Sequence, residues 1–320
     1  MDLDKAKANL GQSGEAAPLA WFADKDVPVL TYRVNRRPRA KGDNIFAASQ
    51  PSFLDHLVEC LLIGESMRTI ARNVEREWKL GNREINLTQG WLAGRVGYVT
   101  DVEEEVDDYD EAKSEWITAV VETEHRATAP FAIIASSRYL CVVKHPTFPD
   151  TTLATVFEWL LNEGERQRAA PDTEWSVEPV LNEADFESWL AKTAVLDRVT
   201  FSVRLPNPDA EEAFADIEQH MRVNNANLSH QLTPRDPESG LSKQLDQDPI
   251  GRGFMEMVRR TFGRIKATGK SATGAARRYD QSQRVKRESV RMPADYDAAK
   301  SAVIEYGLQQ QPPAKPAPNE

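Results

Sequence analysis

Apolar residues recur along the chain at two spacings, one typical of helices and one typical of strands. Residues 53–62 carry an apolar stripe at helical spacing, and Ser52 with Asp55 forms a capping pattern at its start. Gly64 is expected to end or bend this helix. The same spacing predicts further helices at residues 65–80, 151–165, 183–192, 209–222, 253–260 and 295–306.

A period of two predicts strands between these helices. The predicted strands cover residues 27–35, 84–100, 116–128, 131–144, 175–181 and 195–205. The segment 131–144 is expected to turn as a hairpin at Ser136 and Ser137, and Pro179 places its own strand at a sheet edge. The sum is an α+β fold: antiparallel or mixed sheets with helices packed on one side, and a smaller basic C-terminal α/β region.

Changes in composition divide the chain into four predicted parts. Residues 1–26 are expected to form a flexible N-terminal arm, and 27–208 an α+β domain. Residues 209–308 are expected to form a C-terminal helical and β-hairpin region with a basic surface. The proline-rich end, 309–320, is expected to be a disordered tail.

Cysteine usage and hydropathy favour a cytoplasmic protein. The 320 residues include two cysteines, Cys60 and Cys141, which cannot build a disulfide framework. The first 20 residues lack the charged and apolar regions of a signal peptide. No apolar run approaches the roughly 18 residues of a membrane span, so direct membrane insertion is not expected.

Charge is distributed unevenly along the chain. The formal net charge is −10, yet residues 252–291 hold twelve Lys or Arg against three acids. Residues 101–111 hold eight acids in eleven positions and are predicted to be a solvated loop. Such segregation indicates an anionic partner for the basic part of the chain.

The basic stretch is expected to form one surface. Residues 262–268 and 284–292 are predicted to pair as two strands around the glycine-rich segment 269–277. The predicted nucleic-acid-binding residues are Arg259, Arg260, Arg264, Lys266, Lys270, Arg277, Arg278, Arg284, Lys286 and Arg287. If five or six of them contacted phosphates, log K would fall with log[salt] with a slope of roughly −5. The alternative is a solvated face balanced by the acidic remainder of the chain.

Other candidate chemistry is weaker. Gly269-Lys270-Ser271 lacks the glycine spacing of a phosphate-binding loop and is expected to be a turn. His56 and Cys60 share a helix face but are two ligands short of a structural metal site, and Cys141 with His145 is similar. The predicted helix 65–80 resembles half of a helix-turn-helix, without the second helix. No metal site, cofactor or catalytic residue is predicted.

Several segments together resemble the RexA family, the soluble component of lambda-type Rex phage-exclusion systems. They are the TYR strand at 31–33, Ile85-Asn86-Leu87, the segment 131–161, WSVEP at 175–179 and VTFSVRLP at 199–206. The resemblance covers a little over half of the chain, within 27–208. It implies a DNA-binding homodimer that acts as an intracellular sensor with a small membrane channel protein encoded nearby.

The resemblance and the basic stretch lead to one hypothesis. We expect a non-enzymatic, largely sequence-independent binder of double-stranded DNA from a prophage-encoded phage-exclusion, or abortive-infection, system. One alternative is a nuclease effector of phage defence whose site is scattered over the fold. Another is a protein-interaction module whose basic surface docks an acidic partner.

Overall fold

The structure is a computed structural model that describes residues 21–38, 52–64, 66–71, 74–110, 115–168, 173–203, 221, 228–260 and 262–310; for 38, 71, 74 and 101–125 it describes the backbone only. Most of the predicted arm, the boundary at 208, most of the predicted helix 209–222 and residues 311–320 lie outside this part. Those predictions stay predictions.

The described chain forms two antiparallel sheets and five helices, which confirms the predicted α+β class. The strands are β1 Lys25–Pro38, β2 Ser66–Ala71, β3 Val74–Asn86, β4 Trp91–Asp110, β5 Glu115–Ile134, β6 Tyr139–Val143, β7 Thr173–Pro179, β8 Val195–Val203, β9 Leu228–Leu232, β10 Gly263–Lys270, β11 Ala276–Asp280 and β12 Lys286–Met292. The helices are α1 Phe53–Ile63, α2 Asp150–Arg166, α3 Glu183–Ala191, α4 Pro249–Arg259 and α5 Tyr296–Gln309.

The large sheet has eight strands in the order β12-β1-β6-β5-β4-β3-β2, and β7 pairs with the second half of β1. The predicted hairpin at Ser136 and Ser137 joins β5 to β6, and β7 lies at an edge as Pro179 indicated. Helices cover both faces of this sheet. Phe131 of β5 meets Phe157 of α2 at 5.0 Å between ring centroids, whereas Ile134, on the opposite face, packs under α5.

Helices α1 and α2 approach each other closely. The predicted cap at Ser52 is confirmed, since its hydroxyl accepts a hydrogen bond from the Asp55 amide, and the helix ends before Gly64. At Gly164 of α2, a Cβ atom would lie 1.9 Å from the carbonyl oxygen of Cys60 in α1. Only glycine permits this contact between the two helix backbones.

The small sheet has four strands in the order β11-β10-β8-β9. Its apolar positions alternate with polar ones, so one face builds a second hydrophobic core with α3 and α4. Phe186 of α3 packs against Tyr279 of β11, and Phe254 of α4 packs against Phe201 of β8. The helices therefore lie on one face of this sheet, and the opposite face consists of polar side chains.

The predicted helix 65–80 is wrong, because β2 and β3 form a hairpin there. The apolar positions of residues 65–80 fit a helix, but they fit a half-buried pair of strands equally well. In the structure Met67 pairs with Trp78, whose indole donates to Thr69 and packs against Tyr98 of β4. Strand β4 forms backbone hydrogen bonds with β3 and provides a buried position for Trp78, which a helix would not have there. The helix-turn-helix hypothesis therefore fails.

Two further predictions need correction in the β3–β5 region. The predicted strand 84–100 is two strands joined by a turn at residues 87–90, where Gly90 has a φ of +75°. The predicted acidic loop 101–111 is strand up to Asp110, in register with β5 from Asp101↔Glu124 to Asp110↔Glu115. Strand pairing overrides the poor strand propensity of these acids, because β5 continues alongside over the same length.

The described helices include none that is both long enough and apolar enough to cross a membrane.

Candidate nucleic-acid interface

The basic stretch does not form the predicted hairpin. Strand β10 pairs with β11 on one side and β8 on the other, whereas β12 pairs with β1 in the large sheet. The hairpin turn lies at residues 271–275, where Gly274 has a φ of +80°. The whole segment 269–277 was predicted to be a loop, because its glycine, alanine and serine residues give no strand signal for the end of β10 or the start of β11. Gly269 and Lys270 end a strand, and Ser271 opens the turn.

Five of the ten predicted residues lie away from the polar face of the small sheet, which we call the open face. Arg259 and Arg260, at the end of α4, contact acids, and Arg260 pairs with Glu256 at 2.7 Å. Arg277 points to the helix side, where its Nε donates to the Thr193 hydroxyl. The remaining two are Lys286 and Arg287, on β12.

The open face, as we define it, comprises the polar residues of the small sheet opposite α3 and α4. Its members are Arg198, Thr200 and Ser202 of β8, Ser229 and Gln231 of β9, Arg264, Lys266, Thr268 and Lys270 of β10, and Arg278 and Asp280 of β11. Four of the predicted residues, Arg264, Lys266, Lys270 and Arg278, belong to it, and Arg284 borders it after β11. No aromatic residue belongs to this described face.

Arg198 belongs to the open face but was missed by the sequence analysis. It precedes the basic stretch by more than 50 positions and lies on a different strand. The signal was the alternation of Arg198, Thr200 and Ser202 with Val199, Phe201 and Val203, which is typical of a strand with one solvated face. The count of charges along the chain could not reveal which residues neighbour one another across the sheet.

Strand register arranges the open face in rows. Thr268 of β10 lies directly opposite both Arg198 of β8 and Arg278 of β11. In the next row, Lys266 lies between Thr200 and Asp280. Directly opposite side chains point to the same face, so the two arginines flank the Thr268 hydroxyl. All six residues line a surface depression of about 410 Å³.

The charges in this depression are only partly neutralised. Lys266 Nζ lies 2.9 Å from the Asp280 carboxylate, and Arg284 lies 2.9 Å from Asp185. Burial raises the pKa of Asp280, but hydrogen bonds from Ser282 and Lys266 outweigh it and lower that pKa overall. Within the described part of the chain, Arg198 and Arg278 form no salt bridge. Two unpaired guanidinium groups therefore face solvent on either side of one hydroxyl, which is an arrangement suited to a phosphate group.

A second polar cluster lies buried between α1, α2 and β7. His56, Cys60 and Glu165 bring one nitrogen, one sulfur and one carboxylate oxygen within 4.8 Å of one another. Glu165 Oε2 lies 2.6 Å from His56 Nε2, and it accepts hydrogen bonds from the Cys60 thiol and the Trp175 indole, both at 3.3 Å. His56 and Cys60 are adjacent on one helix face and so were recognisable in the sequence, whereas Glu165 is 105 positions from Cys60 and was not predicted.

Charge balance favours a structural role for this cluster over a metal site. Arg168 lies 2.7 Å from His56 Nε2 and 3.2 Å from Glu165, and it also binds Glu59. A metal ion bound by these ligands would lie against this guanidinium, which is electrostatically unfavourable. Burial and the Glu165 carboxylate also raise the pKa of the Cys60 thiol, which opposes the thiolate that a metal needs.

The fold and the open face define an α+β protein with one polar, only partly charge-paired sheet face. The chain belongs to a family described as a domain of unknown function, DUF4747, whose model matches residues 81–307. The match runs from β3 into α5 and so includes all of the open face. No curated protein matches the chain.

Proposed function

We propose that this protein binds the phosphate backbone of double-stranded DNA through the open face, largely independently of base sequence. The observation that carries the proposal is the pair of unpaired arginines, Arg198 and Arg278, on a sheet face that no described helix covers. Lys266 and the hydroxyl groups of Thr200 and Thr268 add donors beside them.

The composition of the open face supports duplex DNA over single strands. Proteins that bind single strands combine a basic groove with aromatic side chains on which bases stack. The open face offers cations and hydroxyl groups without an aromatic platform. Such a surface suits contacts to phosphates, which carry no sequence information.

The same composition favours a binding protein over a nuclease. Metal-dependent nucleases commonly hold two metal ions between the attacking and leaving oxygens. Among the described residues that line the depression, Asp280 is the only acid, and Lys266 pairs with it.

The biological role within this proposal is phage exclusion, and it rests on the resemblance to the RexA family. A cytoplasmic homodimer would sense DNA of an infecting phage and act with a membrane channel protein encoded nearby. Plaque counts test this role on two hosts. Both carry the gene for the membrane channel protein; one also carries the wild-type gene for this protein, and the other carries the Arg198→Gln/Arg278→Gln variant. Equal exclusion by both would overturn the part assigned to the open face.

The binding test is a titration of random-sequence duplex DNA followed by fluorescence anisotropy at several salt concentrations. Four phosphate contacts by Arg198, Arg278, Lys266 and Arg284 predict a slope of log K against log[salt] between about −3 and −4. Arg198→Gln/Arg278→Gln should weaken binding and reduce the magnitude of that slope by about 2.

The matched control is Arg287→Gln/Arg291→Gln, which changes the net charge equally on β12 of the large sheet. It should leave the salt slope within about 0.5 of wild type, because β12 pairs with β1 in the large sheet and contributes no residue to the open face. Absence of DNA binding at low salt would overturn the proposal. Equal losses in both double variants would overturn the assignment to the open face.

A further inference from the structure

We propose that the row Arg198–Thr268–Arg278 is a site for a phosphate monoester at a nucleotide terminus, such as the 5′-phosphate of a DNA end. This inference deepens the proposed function and rests on it for the source of the ligand. The three residues lie on three neighbouring strands, so the two arginine Cα atoms are about 10 Å apart with Thr268 between them. Side chains of this length converge easily on one group above the threonine.

The charge of the row matches a dianion. A phosphate monoester carries about −1.5 to −2 at pH 7 and has three strong acceptor oxygens, as a phosphorylated side chain does. A phosphodiester inside a DNA strand carries a single negative charge. Neither guanidinium has an acidic partner within the described chain, and together they supply +2. Each can donate two parallel hydrogen bonds to phosphate oxygens, and Thr268 can donate one more.

The local backbone points to a dedicated site at this row. The β8–β10 ladder shifts register immediately after Thr268, so that Gly269 pairs with Leu196 and Asp197 is the extra residue of a bulge. Bulges re-aim neighbouring side chains and are frequent beside functional sites. A Cβ at Gly269 would lie 2.5 Å from the Val195 carbonyl oxygen, so β10 passes very close to β8 just beyond the row.

The shape of the site separates a chain end from the middle of a duplex. The row opens into the depression of about 410 Å³, which is within the usual size range of small-ligand pockets. The internal phosphates of a stiff duplex can reach long side chains at the rim of a depression, whereas a terminal nucleotide can also enter it. Thr200, Gln283 and the Lys266–Asp280 pair line the remainder and offer polar contacts to a sugar and base.

The experiment compares three ligands by fluorescence anisotropy and competition: a short duplex with 5′-phosphates, the same duplex with 5′-hydroxyls, and a nucleoside 5′-monophosphate as competitor. The 5′-phosphorylated duplex should bind about tenfold tighter than its 5′-hydroxyl counterpart. The monophosphate should displace it, and the corresponding nucleoside should not.

Two conservative variants separate this site from general electrostatics. Thr268→Val keeps the size and charge of the side chain but removes its hydroxyl group. Arg198→Lys keeps the positive charge but cannot form bidentate hydrogen bonds to phosphate. Both should reduce the preference for the 5′-phosphate to about twofold, because each should weaken binding of the 5′-phosphorylated duplex more than binding of the 5′-hydroxyl duplex. Arg291→Lys on β12 is the matched control and should keep the full preference.

The outcomes distinguish this inference from the proposed function. Equal binding of both duplexes, without competition by the monophosphate, would overturn the terminal-phosphate site and leave DNA binding intact. Binding of the monophosphate without any DNA binding would support the site, with a free nucleotide as its source, and overturn the proposed function. A preference that survives both Thr268→Val and Arg198→Lys would place the phosphate elsewhere and overturn the site.

Discussion

A buried ionised side chain in this protein contributes more to the free energy of unfolding than a typical surface ion pair does. The clearest case is Glu165, whose side chain is fully buried and accepts hydrogen bonds from His56, Cys60 and Trp175. Surface ion pairs contribute little, since solvent screens them. A buried carboxylate that loses its charge leaves its cationic neighbours uncompensated.

We predict that Glu165→Gln destabilises the fold by about 3–5 kcal/mol, because Arg168 would keep its charge beside an uncharged amide. Urea unfolding followed by circular dichroism measures the change. Glu163 lies two residues before Glu165 in the same helix and forms a solvent-exposed ion pair with Arg166. Glu163→Gln should lower the free energy of unfolding by less than about 1 kcal/mol. Similar losses for the two variants would contradict the structural role of the buried cluster.

The stability that Glu165 contributes should disappear in acid. Burial alone would raise its pKa, but hydrogen bonds and charge from His56, with bonds from Cys60 and Trp175, lower it from 4.5 to about 2. A carboxyl group whose pKa is lower in the folded state stabilises the fold above its unfolded pKa, near 4.3. The stability difference between wild type and Glu165→Gln should therefore be constant from pH 7 to 5 and shrink between about pH 4.5 and 2. A difference that persists unchanged at pH 2 would contradict this account.

At the scale of elements, the contact between α1 and α2 depends on one glycine. A Cβ at position 164 would meet the Cys60 carbonyl oxygen at 1.9 Å, and backbone atoms cannot move aside as a flexible side chain does. Gly164→Ala should therefore cost about 3 kcal/mol, at the upper end for overpacked sites. Thermal unfolding measures it.

Gly81→Ala in β3 is the control, because a Cβ there meets nothing within 4 Å. Removing a glycine from a strand restricts the unfolded chain, so this change should be neutral or stabilise by up to about 1 kcal/mol. Tolerance of Gly164→Ala at the same level as Gly81→Ala would mean that the helices are farther apart than described.

Elements with unambiguous local signals were predictable from the sequence. The Ser52 cap, the hairpin at Ser136 and Ser137, and the alternation in β8 each depend on residues within a few positions of one another. The segment 65–80 failed because its apolar spacing suits both a helix and a hairpin. Only the distant Tyr98 and Phe148, which enclose Trp78, decide between them.

The candidate interface was predictable in part. Lys266 and Arg278 stood out because they belong to a run of basic residues, but Arg198 joins them only through the β8–β10 register. Lys286 and Arg287 belong to the same run, yet β12 carries them into the other sheet. Counting charge along a chain finds a basic region, and pairing across strands decides which of its residues share a face.

Across the whole molecule, negative charge is concentrated in one segment of β4 and β5. Strands β4 and β5 pair with each other from residue 101 to residue 124, beyond the last described β3–β4 pair, Glu77↔Val99. Residues 101–125 contain this two-stranded ribbon and hold eleven acids and one lysine, a formal charge of −10 that equals that of the entire chain. The remaining residues sum to zero, so the ribbon sets the sign of the protein's overall field.

The ribbon should weaken DNA binding through this field. About ten residue pairs at 3.4 Å each give it a length of about 34 Å. Deleting residues 102–123 and joining Asp101 to Glu124 through Asn-Gly keeps the register at the base of the ribbon, because those two residues already pair. The deletion changes the formal net charge from −10 to −2.

We predict that this deletion tightens DNA binding several-fold at low salt and has little effect at 0.3 M salt, since ions screen charges beyond a few ångströms there. A full-length variant with Glu103, Glu104, Glu105, Asp107 and Asp108 changed to Gln or Asn separates charge from bulk, and should reproduce about half of the gain. Anisotropy titrations at both salt concentrations measure these effects. A gain that is independent of salt would indicate steric obstruction by the ribbon, and unchanged affinity would exclude any inhibition by it.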